Sequence, residues 1–372
     1  MIKGTLNKVG TQLANVPTFN YRESNSLNQS MIKTYLNNPK KFYKEFVLKE
    51  KRKEKDSYSL FVGTLVDNIL VKHKGNINEF ELNFEEEFSL IEGKKSTSQL
   101  FDLADKLFEI TVRDSNEENV VTTSFSVRFK ESFEAMQALD KFKNKDELKA
   151  LEMFIDTDAH NYLKNKLANI GKKVVDIKMV EHAKYICEKT LSDQNVSWIF
   201  KGNDNIEQIN HFVIEWVYET LFGDKINCKS ELDIVHFDHE KKTVQIFDNK
   251  IAYDNEAFDY AYLKYGYYIQ AIFYTYALRY YIDNNGMKEY TILPFKFVVE
   301  DSGLDNMKTL IYECTEKDLS NAVNGFKIRG NHYEGLGGAI EAINWSLSSG
   351  IFDISKQAWD NNSKMPLKLI YE

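Results

Sequence analysis

The chain reads as an α/β protein, with a central mixed β-sheet flanked by helices and a helical elaboration towards its N-terminal end. Three observations predict this. Apolar residues recur at helical spacing from 24 to 48 and again from about 130 to 192. Strand-like alternation takes over in three closely spaced runs between 211 and 251, and a long tyrosine-rich helix then precedes two further strands. Helical segments on both sides of a strand-rich centre indicate helices packed on a sheet.

In order along the chain, residues 24 to 48 (SNSLNQSMIKTYLNNPKKFYKEFVL) form a capped helix, with Ser26 or Asn28 as N-cap and Met31, Ile32, Tyr35 and Leu36 on its apolar stripe. Pro39 ends or restarts it. A second helix, entered through Gly63, carries Leu65, Val66, Ile69 and Leu70 around a single acid, Asp67. Residues 76 to 125 are mixed and acidic and give no firm pattern. From 130 to 192 the segments ESFEAMQALDKF, DAHNYLKNKLANI and MVEHAKYICEKTL are helical with polar faces, which predicts a helical layer. His211 to Tyr218, Ile226 to Phe237 and Thr243 to Ile251 are strands, and Asp238 to Lys242 (DHEKK) is the turn joining the last two. A helix from about Tyr260 to Tyr281, strands at Ile292 to Glu300 and Lys308 to Cys314, and a helix around Ala339 to Leu347 complete the chain.

With 372 residues and 43% hydrophobic content, the chain can bury one large core or two modest ones. Four prolines and no compositionally biased stretch argue against a linker, so the expectation is one domain over 1–372 with the 130–192 layer inside it. No signal-like apolar core opens the sequence and nowhere do eighteen apolar residues run together, which predicts a cytoplasmic protein without a membrane span. Cys187, Cys228 and Cys314 are far apart and form no CxxC pair, so an iron–sulfur cluster on four cysteines is excluded and reduced core thiols are expected. The net charge of −8 weighs against nucleic-acid binding without deciding it, because carboxylates gathered for a metal also count towards the total.

The chemistry concentrates at the hairpin of 226–251. Alternation puts Val244, Ile246, Asp248 and Lys250 on one face of their strand, so Asp248 and Lys250 are neighbours. A turn centred near Glu240 sets Asp233 opposite Asp248. Two adjacent carboxylates repel unless something compensates them. Mg²⁺ suits such oxygen ligands and keeps waters, which phosphodiester hydrolysis requires, while Lys250 would orient or deprotonate the attacking water. Glu92-Gly93-Lys94 and Glu240-Lys241-Lys242 share the acid-x-Lys spacing, so context must select among them. Glu231 shares the strand face of Asp233 and reads as a solvated charge rather than an extra ligand, and His236 and His239 read as surface residues flanking the turn. No GxxxxGK[ST] loop is present, so no ATP use is expected, and Gly335 to Gly338 reads as a helix-entry loop.

Taken in order, Ser26 to Phe42, Gly63 to Leu70 (GTLVDNIL), Lys229 to Val235 (KSELDIV), Ile246 to Lys250 (IFDNK), Tyr267 to Tyr274 (YYIQAIFY) and Phe295 to Glu300 (FKFVVE) span most of the chain. This series resembles the PD-(D/E)XK nucleases of the RecB and lambda-exonuclease lineage, and within them the phage-type exodeoxyribonuclease VIII (RecE-like) branch. The resemblance implies a restriction-endonuclease-like core, metal binding by Asp233 and Asp248, catalysis by Lys250, and a DNA-facing helix motif of Gln270 and Tyr274. It implies an ATP-independent 5′–3′ exonuclease on double-stranded DNA ends, using one or two Mg²⁺ or Mn²⁺ ions in phage-type recombination or replication. A ring-like homo-oligomer and a single-strand annealing protein as partner are also implied. Many relatives carry a metal-binding His where Asp67 stands; a carboxylate can replace it, or Asp67 is simply exposed on its helix. For Gln270 and Tyr274 the alternative is packing. The competing functions are a structure-specific or single-strand endonuclease with the same site, and a non-catalytic DNA-binding or assembly protein that retains the fold.

Overall fold

A computed structural model describes residues 25–50, 58–91, 96–116, 124–168, 172–303 and 308–364. The N-terminal stretch before residue 25 and the Glu92-Gly93-Lys94 triplet lie outside the described residues. The chain packs as two compact units: the larger draws on Met1–Asp56, Val66–Gly75 and Ile186–Glu372, the smaller on Ser57–Leu65 and Asn76–Tyr185.

The smaller unit is mainly helical. Its helices Ile77–Glu87, Ser98–Asn116, Phe125–Ala138, Glu147–Phe154 and Asp158–Ala168 include most of the expected layer. They enclose a core of Leu103, Leu107, Phe129, Phe133, Phe154 and Leu163. Full burial of each such side chain contributes on the order of 2 kcal/mol. A two-stranded parallel ribbon, β1 (Phe88–Ile91) and β2 (Lys173–Asp176), interrupts the helical pattern that periodicity alone suggested. Asp114 is buried there between Arg113 and Arg128, which satisfy its two oxygens at 2.7 and 3.1 Å.

The larger unit holds the central mixed sheet. Its strands are β3 (Glu207–Glu219), β4 (Lys225–Asp238), β5 (Thr243–Ala252), β6 (Thr291–Ile292), β7 (Lys296–Asp301) and β8 (Leu310–Glu313), in the order β3-β4-β5-β7-β8 with β6 beside the start of β5. Neighbours are antiparallel except β5 with β6 and β7, which are parallel. A parallel pair needs a crossover. The helices Phe258–Lys264 and Tyr267–Asn284 supply it. The second lies on one sheet face, with Phe273 4.8 Å from Trp216 and Tyr281 4.9 Å from Phe212, ring centre to ring centre. On the same face Tyr35, from helix Gln29–Asn37, donates to Ala342 O at 2.9 Å in helix Leu336–Ser349. The opposite face packs helix Gln194–Lys201, whose Trp198 meets Phe247 edge-on at 5.6 Å.

Several local expectations hold. Asn28 is the N-cap, and Asn38 both ends the first helix and caps its continuation, with Pro39 at the first helical position. The polar turn lies between Asp238 and Thr243. Gly335 caps the helix that starts at Leu336. All three cysteines are free and buried.

Others are corrected. Gly63 lies within helix Tyr58–Asp67 rather than at its entrance, and a π-helical turn, Asn68–Lys72, follows Asp67. The tyrosine-rich helix is two helices, because Gly266 adopts φ +63° between them. Pro294 has no N–H to give, and the expected strand Ile292 to Glu300 divides around it into β6 and β7. His236 is buried rather than superficial: its Nε2 lies 3.0 Å from Ile199 O and its ring packs on Trp198 and Phe247.

The alternation of β3 and β4 breaks at one level. Cys228 and Leu232 face the main core at even positions, but Val235 and Phe237 do so at odd ones, and on β3 Phe212, Ile214 and Trp216 give way to Ile209. The ladder pairs Asn210 with Ile234 and Phe212 with Leu232 but omits His211 and Asp233, and His211 has φ +49°. Both strands are therefore kinked at a shared position.

Candidate active site

The kink sets Asp233 at the point where β4 and β5 part. Their ladder ends at Ile234 and Phe247 although both strands continue, and β5 goes on pairing only with β7. In the gap, Asp233 Oδ2 accepts the backbone N–H of Asn249 at 2.9 Å, in place of the lost strand contact. The same register carried one step further sets Asp233 opposite Asp248, as the turn position predicts. Divergence provides the room that two facing carboxylates need.

Asp248 is fully buried and meets two side chains directly. Gln270 Nε2 donates to its Oδ1 at 2.5 Å, and the Lys250 ammonium forms an ion pair with its Oδ2. Lys33, from helix Gln29–Asn37, donates to Gln270 Oε1 at 3.5 Å and extends the chain of polar contacts. The ring of Tyr267 lies 5.3 Å from the Lys33 ammonium and also 5.3 Å from that of Lys250.

The electrostatics follow from burial. Desolvation and the nearby Asp233 charge push Asp248 up to about 7, against the pull of Lys250 and Lys33. Asp233 is raised too, by burial and by Asp67, while Lys250, the Asn249 N–H and His211 oppose. Burial penalises the Lys250 ammonium, but the two aspartates overcome this and hold it charged. Lys33 is lowered to about 8, by burial and then by repulsion from Lys250.

A second group of charges adjoins the first. His211, at the kink, has Nε2 3.6 Å from Asp67 Oδ2 and Nδ1 3.3 Å from Glu231 Oε1. Burial would lower it, yet Glu231, Asp67 and Asp233 together raise it to about 9. Glu231 is thus a histidine partner rather than a solvated charge. Glu300, on β7, is buried and held well above the carboxylate range by desolvation. The Asn249 side-chain amide, with its nitrogen turned towards Glu300, donates to Oε1 at 2.8 Å.

The structure therefore brings Asp233, Asp248, Lys250 and Gln270 together. Asp67 stands with His211, and its charge acts on Asp233. Tyr274, one turn beyond Gln270, is buried in the main core with its ring 6.5 Å from that of Phe295. Sequence reasoning missed Lys33, His211, Tyr267 and Glu300. Glu300 had a signal, an acid closing the apolar run of FKFVVE. Lys33 and His211 had none, because a lysine beside an apolar helix stripe and a histidine at a strand start are ordinary in position.

Among the described residues no three His, Cys, Asp or Glu side chains gather at metal-ligating spacing. The donor set present is a carboxylate pair. It suits a hard ion such as Mg²⁺, which keeps several waters and takes one or two protein carboxylates beside phosphate oxygens, whereas a closed zinc site would need four ligands. Comparison of the chain with protein-family models and with curated protein sequences finds no match in either.

Proposed function

We propose that this chain is a metal-dependent deoxyribonuclease with a restriction-endonuclease-like core of the PD-(D/E)XK type. One observation carries the reading: Asp233 and Asp248 stand at the divergence of β4 and β5 with the Lys250 ammonium on Asp248. Burying two like charges this close is costly, and what supports a cation there is that both carboxylates are disfavoured without one.

Asp233 and Asp248 would hold Mg²⁺ or Mn²⁺. When bound, the ion supplies Lewis acidity to a phosphate oxygen and an activated water. Gln270 fixes the orientation of Asp248, and Lys250, held charged, places an ammonium where negative charge develops on the phosphate. Asp67 is retained as a candidate ligand on the strength of its field at Asp233. Polarity and substrate ends come from the resemblance: the proposal is an ATP-independent 5′–3′ exonuclease on double-stranded DNA in phage-type recombination or replication, a ring-like oligomer working with a single-strand annealing protein.

The test is incubation of the purified chain with linear and with closed circular duplex, with and without Mg²⁺ or Mn²⁺. Nucleotide release from linear duplex alone is expected. Cleavage of circles would favour an endonuclease, and metal-independent inertness towards every substrate would remove the hydrolase reading. Asp248→Ala and Lys250→Ala should lose at least a hundredfold in turnover with unchanged circular dichroism; near-normal turnover would overturn their assignment.

A further inference from the structure

Lys33 lies in the site without a role in the chemistry just proposed. Lys33 is half-buried, and its ammonium and that of Lys250 each lie 5.3 Å from the ring centre of Tyr267. Among the described residues, no carboxylate is within ion-pair distance of Lys33; its hydrogen-bond partner is the amide oxygen of Gln270 at a long 3.5 Å. The two cations beside one ring repel each other, and the Asp248 carboxylate that pairs with Lys250 offsets this only in part for Lys33.

The chain nevertheless builds this arrangement. Gly266 turns at φ +63° beneath the lysine stem, and a Cβ there would stand 3.3 Å from both Cγ and Cδ of Lys33. Tyr267, the first residue of the following helix, then offers its ring to both ammoniums. The lysine is thus threaded through a gap that a larger residue would narrow.

We infer that Lys33 and Lys250 form a two-ammonium cradle on Tyr267 that binds non-bridging oxygens of the nucleic-acid phosphate in the site, with Lys33 a substrate-binding residue. The inference rests on the nuclease reading and deepens it. A phosphodiester presents two non-bridging oxygens that share one negative charge, so one can meet Lys250 while the other meets Lys33. Such an anion would relieve the repulsion that Asp248 leaves between the ammoniums. Lys33 would therefore act on affinity, and Lys250 on turnover.

Binding of a short duplex by the full chain in Ca²⁺, measured over a range of salt, separates the two lysines. Lys33→Met should weaken binding about tenfold and flatten the dependence of log affinity on log salt by about one. KM should rise more than kcat falls, and Lys33→Arg should restore most of the affinity. Thermal melting of Lys33→Met should match or exceed that of the parent, since the repulsion is gone; a lower melting point would make its weak binding a folding defect, and the Arg variant then decides. If the parent cleaves DNA and both variants bind with its affinity and salt slope, this inference alone fails. If the parent neither binds nor cleaves DNA, the nuclease reading fails and takes this one with it.

Discussion

Asp248 shows how a residue can be unfavourable for the fold and useful for chemistry. Its carboxylate is disfavoured by burial and by Asp233, so the metal-free protein bears a cost that Asp248→Asn should remove. That variant is expected to melt higher than the parent in chelator and to gain nothing from Mn²⁺. A lower melting point in chelator would mean that the Lys250 ion pair outweighs the desolvation. Asp67→Ala should weaken metal dependence without abolishing cleavage, and an unchanged metal titration would assign Asp67 to structure.

His236 makes a separate prediction at the same scale. Burial lowers it to about 4 despite its contact with Ile199 O, so the native state prefers the neutral ring. A histidine free to protonate near 6.5 when unfolded then costs nothing above that pH, and stability falls as pH drops from about 6.5 towards 4, by about 3 kcal/mol in all. Urea midpoints at pH 7 and pH 5 should converge in His236→Gln relative to the parent. An identical acid sensitivity would exclude this histidine as its source.

At the scale of elements, caps and breaks decide which segments were legible. Asn28 and Pro39 are local signals, and the helix start and the restart they announce are where the sequence reading places them. Asn38→Ala should cost about 1 kcal/mol, read from denaturant unfolding, because its side chain caps Lys41 N at 3.0 Å. Gly266→Ala should cost about 1–2 kcal/mol for the left-handed turn alone, and more where Lys33 must move. Strand positions were legible through alternation and turn residues, so Asp248 and Lys250 share a face with Val244 and Ile246 as expected. The kink at His211 and Asp233 was not, because it depends on two strands bulging together and no local residue type announces it. Glu231 reads as a solvated charge because nothing in its own segment announces the histidine that the bend brings to it. Tyr274 shows the complementary failure, since helical spacing from Gln270 fixes a face but not how deep that face is buried.

At the scale of the molecule, composition foretold enough apolar material for one core or two, and the chain packs as two compact units with separate clusters. Length alone cannot choose between those outcomes, and the mixed, acidic stretch from 76 to 125 carried too weak a period to expose the boundary. The metal proposal has a global readout as well. A ligand that binds only the native state stabilises it by about 2.7 kcal/mol at a hundredfold excess over Kd. Raising Mn²⁺ should therefore shift the unfolding of the parent progressively. The shift should vanish in a variant lacking both Asp233 and Asp248, and persistence there would locate the ion elsewhere.

The shared bend of β3 and β4 has a practical corollary for anyone transplanting this hairpin. Residues on either side of His211 and Asp233 obey opposite inside-outside conventions, so the two positions form one joint and must be moved together. Carrying Asp233 without its partner would restore a straight ribbon, turn half of the graft inside out, and close the gap in which the acids meet.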